Sequence, residues 1–124
     1  MSKKILIDAF YTQFNAFLNE LANSYPEDAD FPVFIETLNL VKFANPMMVV
    51  NYVKNEIVLP YQEKITNHDE SFFLNYDYNT SQDVDLNIVE KLKTYISTMS
   101  VDSKNTVWDY INLISRLVLK IDEL

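Results

Sequence analysis

Apolar residues recur at intervals of three and four along most of this chain. Between residues 4 and about 23 the spacing is carried by Ile5, Ala9, Phe10, Phe14, Phe17, Leu18 and Leu21. Such spacing places apolar side chains on one face of an α-helix. The pattern therefore predicts an amphipathic first helix that ends near Asn23.

Prolines divide the next part of the chain. Residues 25–32 contain two prolines and three acids, which predicts a loop because each proline disfavours helical geometry in the residue before it. A second helix is expected from near Pro32 to near Asn45, with Phe34, Ile35, Leu38 and Val41 on one side. Pro46, with Asn45 as N-cap, predicts a third helix that carries Met47, Val50, Val53 and Ile57.

Pro60 leaves two readings of the chain that follows, either a kink in the third helix or the start of a short fourth one. Residues 57–59 are apolar and mostly β-branched, so a strand is a further alternative in isolation. We expect helix here.

The helical pattern is interrupted between residues 67 and 78. This segment holds the only histidine, four aromatic residues and three carboxylates. We expect Phe72, Phe73 and Leu74 to pack against the bundle and anchor the connection.

Two more helices are predicted after this connection. Asp83 or Asp85 can cap the first of them, which carries Ile88, Val89, Leu92, Tyr95, Ile96 and Met99. The last begins within residues 100–103 and has a broad apolar face of Val107, Tyr110, Ile111, Ile114, Leu117, Val118 and Ile121.

The predicted fold class is therefore all-α, a compact bundle of five or six helices with a long aromatic and acidic central connection. With 124 residues, 48% of them hydrophobic, the chain is expected to form one domain over residues 1–124. It contains no glycine, so turns that need a positive φ are expected to use Asn or Asp.

Charge and cysteine content narrow the classes of partner. The net charge of −8 with ten basic residues argues against nucleic-acid binding, which depends on Lys and Arg contacts to phosphate, and favours a basic protein partner. Without cysteine there are no disulfides and no thiolate chemistry, which favours an intracellular location. Asp8 interrupts the N-terminal apolar residues, so we expect neither a signal peptide nor a membrane span.

Two partial motifs fall short of a chemical site. Asp77, Asn79, Ser81, Asp83 and Asp85 alternate as calcium-loop ligands do, yet Gln82 replaces the turn glycine and Ile88 replaces the closing glutamate. His68 with Asp69 and Glu70 could support acid–base chemistry, but no second histidine completes a metal site. Nucleophile elbows and phosphate loops require glycine, which this chain does not contain. We therefore predict no catalytic, metal-binding or cofactor-binding residues, and a surface position for His68.

The tyrosines of the central connection suggest a protein-binding surface. Tyr and Trp are enriched at interfaces, whereas acids around the aromatic residues would repel the phosphates of a stacked nucleic acid. The candidate partner surface comprises Asp69, Glu70, Tyr76, Asp77, Tyr78 and Trp108. A buried tyrosine with a satisfied hydroxyl gives the same sequence, so the alternative of a core position stays open.

Three short segments resemble a family of small proteins encoded by large (nucleocytoplasmic) DNA viruses of protists. Residues 58–61 read Val-Leu-Pro-Tyr, residues 67–78 read Asn-His-Asp-Glu-Ser-Phe-Phe-Leu-Asn-Tyr-Asp-Tyr, and residues 104–110 read Lys-Asn-Thr-Val-Trp-Asp-Tyr. The resemblance implies a viral origin, and with it a location in the host cell or the virion. It implies no activity.

The preferred hypothesis is a non-enzymatic, acidic helical module that binds a protein or self-associates, as a viral accessory, virion or host-interaction component. The first alternative is a nucleic-acid-associated protein whose basic residues gather on one face. The second alternative is an enzyme that uses His68 and neighbouring carboxylates.

Overall fold

Six helices make up the fold in the computed structural model, which describes residues 2–76 and 87–124. They are α1 (Lys3–Ser24), α2 (Asp30–Ala44), α3 (Pro46–Thr66), α4 (Ser71–Asn75), α5 (Ile88–Ile96) and α6 (Val101–Asp122). No strand occurs in the two described ranges. The prediction of an all-α bundle of five or six helices is confirmed.

Helix α1 lies against α2 in antiparallel orientation. The side-chain amide of Asn15 donates to Asn39 at 3.1 Å, and seven residues earlier Asp8 lies 4.0 Å from the ammonium of Lys42. The hydroxyl of Tyr11, between these two pairs, donates to the backbone carbonyl of Pro46 at 2.7 Å. Burial of this ring raises the pKa of Tyr11 to about 12. These contacts fix the register in which the apolar faces of α1 and α2 meet.

Helix α6 packs along α1, also antiparallel. Phe17 and Tyr110 stack with ring centroids 5.2 Å apart. Towards the end of α1, Leu21 and Tyr25 line a cavity together with Val107, near the start of α6. Of the apolar face predicted for the last helix, four residues are buried and three, Tyr110, Ile111 and Leu117, are partly buried against the core. Trp108 and Ser115 are buried as well.

Helix α3 contains one π-helical turn, Lys54–Val58, directly before Pro60. The N–H of Leu59 donates to the carbonyl of Lys54, five residues back. A proline lacks a donor and crowds the carbonyl four residues earlier, and the wider π turn accommodates both effects. The backbone leaves helical geometry at Tyr61, with φ −122° and ψ 21°. The region around Pro60 is thus one kinked helix, and residues 57–59 are helical.

Helix α3 ends in a left-handed turn at His68, where φ is 52°. The N–H of Asp69 donates to the carbonyl of Lys64 at 2.9 Å, and that of His68 donates to Ile65 at 3.2 Å. This pair of bonds is the Schellman closure of a helix, which favours glycine at its left-handed position. In a chain without glycine, we expected Asn or Asp here, and histidine occupies the position instead.

The connection after His68 contains the short helix α4, which the apolar spacing did not predict. Phe72 and Phe73 are fully buried, as expected of an anchor. Leu74 is 63% exposed, so the prediction that it packs beside them is wrong. Successive residues of a helix point about 100° apart, and one turn cannot bury three neighbours on the same side.

Candidate interaction surface

Asp69 and Glu70, two members of the predicted partner surface, are exposed but engaged in local contacts. A carboxylate oxygen of Asp69 accepts from the backbone N–H of Ser71 at 3.0 Å and lies 3.8 Å from Lys64. Hydrogen bonds from the hydroxyl and then the backbone of Ser71 hold the pKa of Asp69 below its usual range. Glu70 pairs with Lys104 at 2.8 Å. These acids join α3, α4 and the start of α6.

Tyr76 and Trp108 lie in the core, so placing them on a partner surface is corrected by the structure. They are 6% and 3% exposed. The Tyr76 ring lies near Tyr61 and Phe72, and burial, followed by a hydrogen bond with Tyr52, raises the pKa of Tyr76 far above its usual range. Here the core alternative that the sequence left open is the one adopted. Asp77, Tyr78 and the calcium-like residues up to Asp85 lie outside the described residues.

His68 is exposed, as expected, but its ring does not gather with the neighbouring carboxylates. The imidazole stacks on the indole of Trp108, with centroids 5.3 Å apart and planes inclined by 2°. Since Asp69 and Glu70 contact Ser71 and Lys104, the three side chains form no convergent acid–base set.

The basic side chains, all of which lie in the described ranges, are mostly engaged with carboxylates. Six of the ten form ion pairs within 4.0 Å, namely Lys4, Lys42, Lys54, Lys64, Lys91 and Lys104. The other four are distributed over α1, α5 and α6. This arrangement offers little support for a phosphate-binding face.

A polar cluster ties α5 to the loop between α1 and α2. The hydroxyl of Tyr95 donates to Asp28, and the ammonium of Lys91 lies 3.2 Å from Asp28 and 2.5 Å from Asp30. The rings of Tyr25 and Tyr95 stack at 3.9 Å. The hydrogen bond from Tyr95 is the main cause that lowers the pKa of Asp28, and the contact with Asp30 is the main cause that raises the pKa of Lys91. Because every charge here has a partner, the cluster is a structural clasp.

The outer face of α2, defined as Val33, Leu40 and Phe43, carries exposed apolar side chains at helical spacing. Leu40 follows Val33 by two turns and Phe43 follows by three residues, so all three lie on one side of the helix. They are 56%, 63% and 93% exposed. The opposite side of α2 is buried through Phe31, Phe34 and Leu38. Helix α2 is therefore apolar on both sides.

The apolar spacing in the sequence predicted only one apolar side for this helix, and these three residues lie outside it. Their signal was present, because Val33, Leu40 and Phe43 fall outside the predicted buried set yet are large and apolar. A helix that is apolar all round ordinarily has cover on every side.

A second surface feature lies between α1 and α6, at the far end of α1. This α1–α6 cavity has a volume of about 160 Å³. Its apolar wall is formed by Phe17, Leu21, Met99 and Val107, and Glu20 and Asp102 also line it. Neither carboxylate forms an ion pair with another described residue.

Two further properties concern the described residues alone. They contain no group of three or more His, Cys, Asp or Glu side chains arranged to hold a metal ion. No single helix among them is long and apolar enough to cross a membrane, although α2 and α3 meet that criterion as a pair bent by 119° at their junction.

Comparison of the chain with protein-family models, with curated proteins and with solved structures finds no match in any of the three. The viral resemblance therefore stays a prediction, and the function is inferred from the surface of this molecule.

Proposed function

We propose that this chain is a non-enzymatic protein-interaction module that binds a protein partner through the outer face of α2. The observation that carries the proposal is Phe43, which is 93% exposed and shares its helix face with Val33 and Leu40. Full burial of one such side chain stabilises a complex by about 1.5–3 kcal/mol. Grouped exposed apolar residues mark interaction sites more often than isolated ones do.

The two sides of α2 differ in what covers them. The inner side rests on the bundle through Phe31, Phe34 and Leu38, and Asn39 bonds to α1 at its edge. The outer side carries Val33, Leu40 and Phe43 with the exposed Glu36 between them, and it faces solvent. Burial of the outer face by a partner would give α2 the surroundings typical of a helix that is apolar all round.

The proposed surface differs from the one inferred from the sequence. The earlier candidates Tyr76 and Trp108 are packed among aromatic rings, whereas the outer face of α2 is accessible. A viral accessory, virion or host-interaction role, as in the preferred hypothesis from the sequence, would require an accessible surface of this kind.

Site-specific photocrosslinking tests the proposal. A photoreactive phenylalanine analogue at position 43 is expected to form a covalent adduct with a partner protein in lysate of the cells that make this chain. The matched control carries the same analogue at position 74, because Leu74 is also apolar and 63% exposed but lies on α4, away from α2. Mass spectrometry identifies the adduct.

A substitution at a neighbouring residue of the same face tests the specificity of the adduct. Leu40→Ser is expected to reduce the yield at position 43, since it removes an adjoining apolar side chain and leaves the core intact. Equal yields from positions 43 and 74, or no adduct at either, would exclude the outer face of α2 as the binding site.

A further inference from the structure

We infer that the partner of the outer face of α2 is a second copy of this chain, which receives Phe43 in its α1–α6 cavity. The inference rests on the proposed function, because it assigns an occupant to the same surface. It is carried by three observations: a protruding aromatic side chain, a cavity of matching size elsewhere on the molecule, and opposite charges around the two.

Size is the first requirement for this contact. A cavity of about 150 Å³ accommodates a benzene ring. The α1–α6 cavity has about 160 Å³ and an apolar wall that includes Phe17, Leu21 and Val107. The phenyl ring of Phe43 is thus of a size that this cavity, which is open to solvent on one side, can accept.

Charge supplies the orientation of the contact. Lys42 directly precedes Phe43, and its ammonium and that of Lys4 share a single carboxylate, that of Asp8, at 4.0 and 3.0 Å. Lys4 and Lys42 remain 86% and 41% exposed, and the two ammonium groups have one carboxylate between them. Although the chain as a whole carries −8, the surroundings of Phe43 suit an acidic site.

The cavity offers the complementary charge. Glu20 and Asp102 line it, and neither is paired with a described lysine or arginine. With the ring of Phe43 inserted, Lys42 of the inserting copy would approach these two carboxylates. The outer face of α2 carries one acid between Val33 and Leu40, Glu36, that would repel the carboxylates of the cavity.

The geometry requires two molecules. Asp8, beside Lys42, and Glu20, at the cavity, are twelve residues apart on one straight helix, a separation of about 18 Å. Phe43 therefore cannot reach the cavity of its own chain. A contact between two different surfaces is head-to-tail, and it propagates into rings or open chains of copies instead of stopping at a symmetric dimer.

Sedimentation velocity of the full chain between about 10 µM and 1 mM tests the inference, a range that covers weak contacts. Wild type is expected to grow from monomer into dimer and larger species, and growth should weaken in high salt. Phe43→Ser, which removes the inserted ring, and Thr106→Trp, which fills the cavity from its exposed rim, should each remain monomeric. Leu74→Ser, which removes an exposed apolar side chain away from both surfaces, is the matched control and should behave as wild type.

Mixing the two monomeric variants gives the decisive result. Phe43→Ser retains a cavity and Thr106→Trp retains a ring, so their mixture should form a 1:1 heterodimer and nothing larger. Circular dichroism melts that match wild type show that both variants are folded. A second route is charge reversal, in which Glu20→Lys with Asp102→Lys abolishes assembly and Lys4→Glu with Lys42→Glu restores it in a mixture.

Each failure has its own meaning. Monomeric wild type at the highest concentration, assembly that survives Phe43→Ser, or a mixture that stays monomeric would overturn the head-to-tail contact. If wild type is monomeric while position 43 still crosslinks to a different protein, the proposed function stands and only the second copy is excluded. If position 43 captures nothing and the chain is monomeric, both fail.

Discussion

The imidazole of His68 lies parallel to the indole of Trp108, with ring centroids 5.3 Å apart and planes inclined by 2°. Two residues forty positions apart in sequence are thereby joined, one in a left-handed turn and the other in the buried face of α6. The ring of His68 covers Trp108 from the solvent side, and Phe72 and Phe73 approach it from the α4 side. The role of this histidine is therefore explained by packing.

His68→Ala is expected to lower the free energy of unfolding by about 1 kcal/mol, because it removes the stacked ring. It leaves a Cβ in the left-handed turn, as in the wild type. His68→Gly also loses the ring but relieves the turn, so it should be more stable than His68→Ala by about 1 kcal/mol. Urea unfolding followed by circular dichroism measures both. Equal stability of the two variants would show that the turn carries no backbone strain.

Trp108→Ala should lower the free energy of unfolding by about 3–5 kcal/mol, since the indole is 3% exposed and surrounded by rings. Leu92→Ala, at 1% exposure, should cost about 2–5 kcal/mol. The exposed Val101→Ala is the control and should change stability by less than about 0.5 kcal/mol. Thermal and urea unfolding of the three variants measure these differences. A Trp108→Ala variant as stable as the control would contradict the burial of Trp108.

The clasp around Asp28 predicts a dependence of stability on acid. Because the pKa of Asp28 is lower in the folded chain than in the unfolded one, the unfolded state binds more protons between the two values. The contribution is complete above the unfolded pKa of about 3.9 and is lost as the pH falls through the folded pKa. Stability should therefore rise with pH across this interval.

Tyr95→Phe removes the hydrogen bond that is the main cause of this shift, so the rise in stability on the acid side should become shallower. It should not vanish, because the pKa of Asp69 is also lowered. Urea unfolding from about pH 2 to 6 covers the interval. Tyr110→Phe is the control, since Tyr110 stacks on Phe17 and is not among the groups that lower the pKa of Asp28. Identical acid profiles for the two variants would reject the assignment.

An apolar cavity of about 40 Å³ between α5 and the rest of the core predicts a stabilising substitution. Val53 and Val89 line it. Val53→Ile adds one methyl group to this space and should raise the free energy of unfolding by about 1 kcal/mol. Val58→Ile adds the same group at a buried site that does not line the cavity, and should lower it by about 1–3 kcal/mol. The reverse order in urea unfolding would refute the location of the space.

Helical periodicity was sufficient to predict the long elements, because burial of one face determines them. The first helix was expected over residues 4–23 and spans Lys3–Ser24. The second begins at Asp30, two residues before the expected Pro32, and Phe31 is fully buried. A proline is tolerated throughout the first turn of a helix, so it locates a start only to within that turn.

Local spacing could not predict which apolar residues become buried, because burial depends on elements that are distant in sequence. Tyr76 and Trp108 meet rings from α3 and α4 and become core, whereas Leu74 and Phe43 meet none of these rings and stay exposed. The lysine pair near Phe43 could not be predicted from the sequence for the same reason. Lys4 and Lys42 come together only when α1 and α2 pack antiparallel.

The left-handed turn at His68 also bears on the chain before it folds. A glycine at that position would visit many more backbone conformations in the unfolded state, and folding would remove them at a cost of about 0.4–1 kcal/mol relative to a residue with a side chain. A chain that reverses direction without any glycine therefore begins folding from a narrower ensemble. The free-energy cost of the strained turn is thus partly offset, because the unfolded chain without glycine has less conformational entropy to lose on folding.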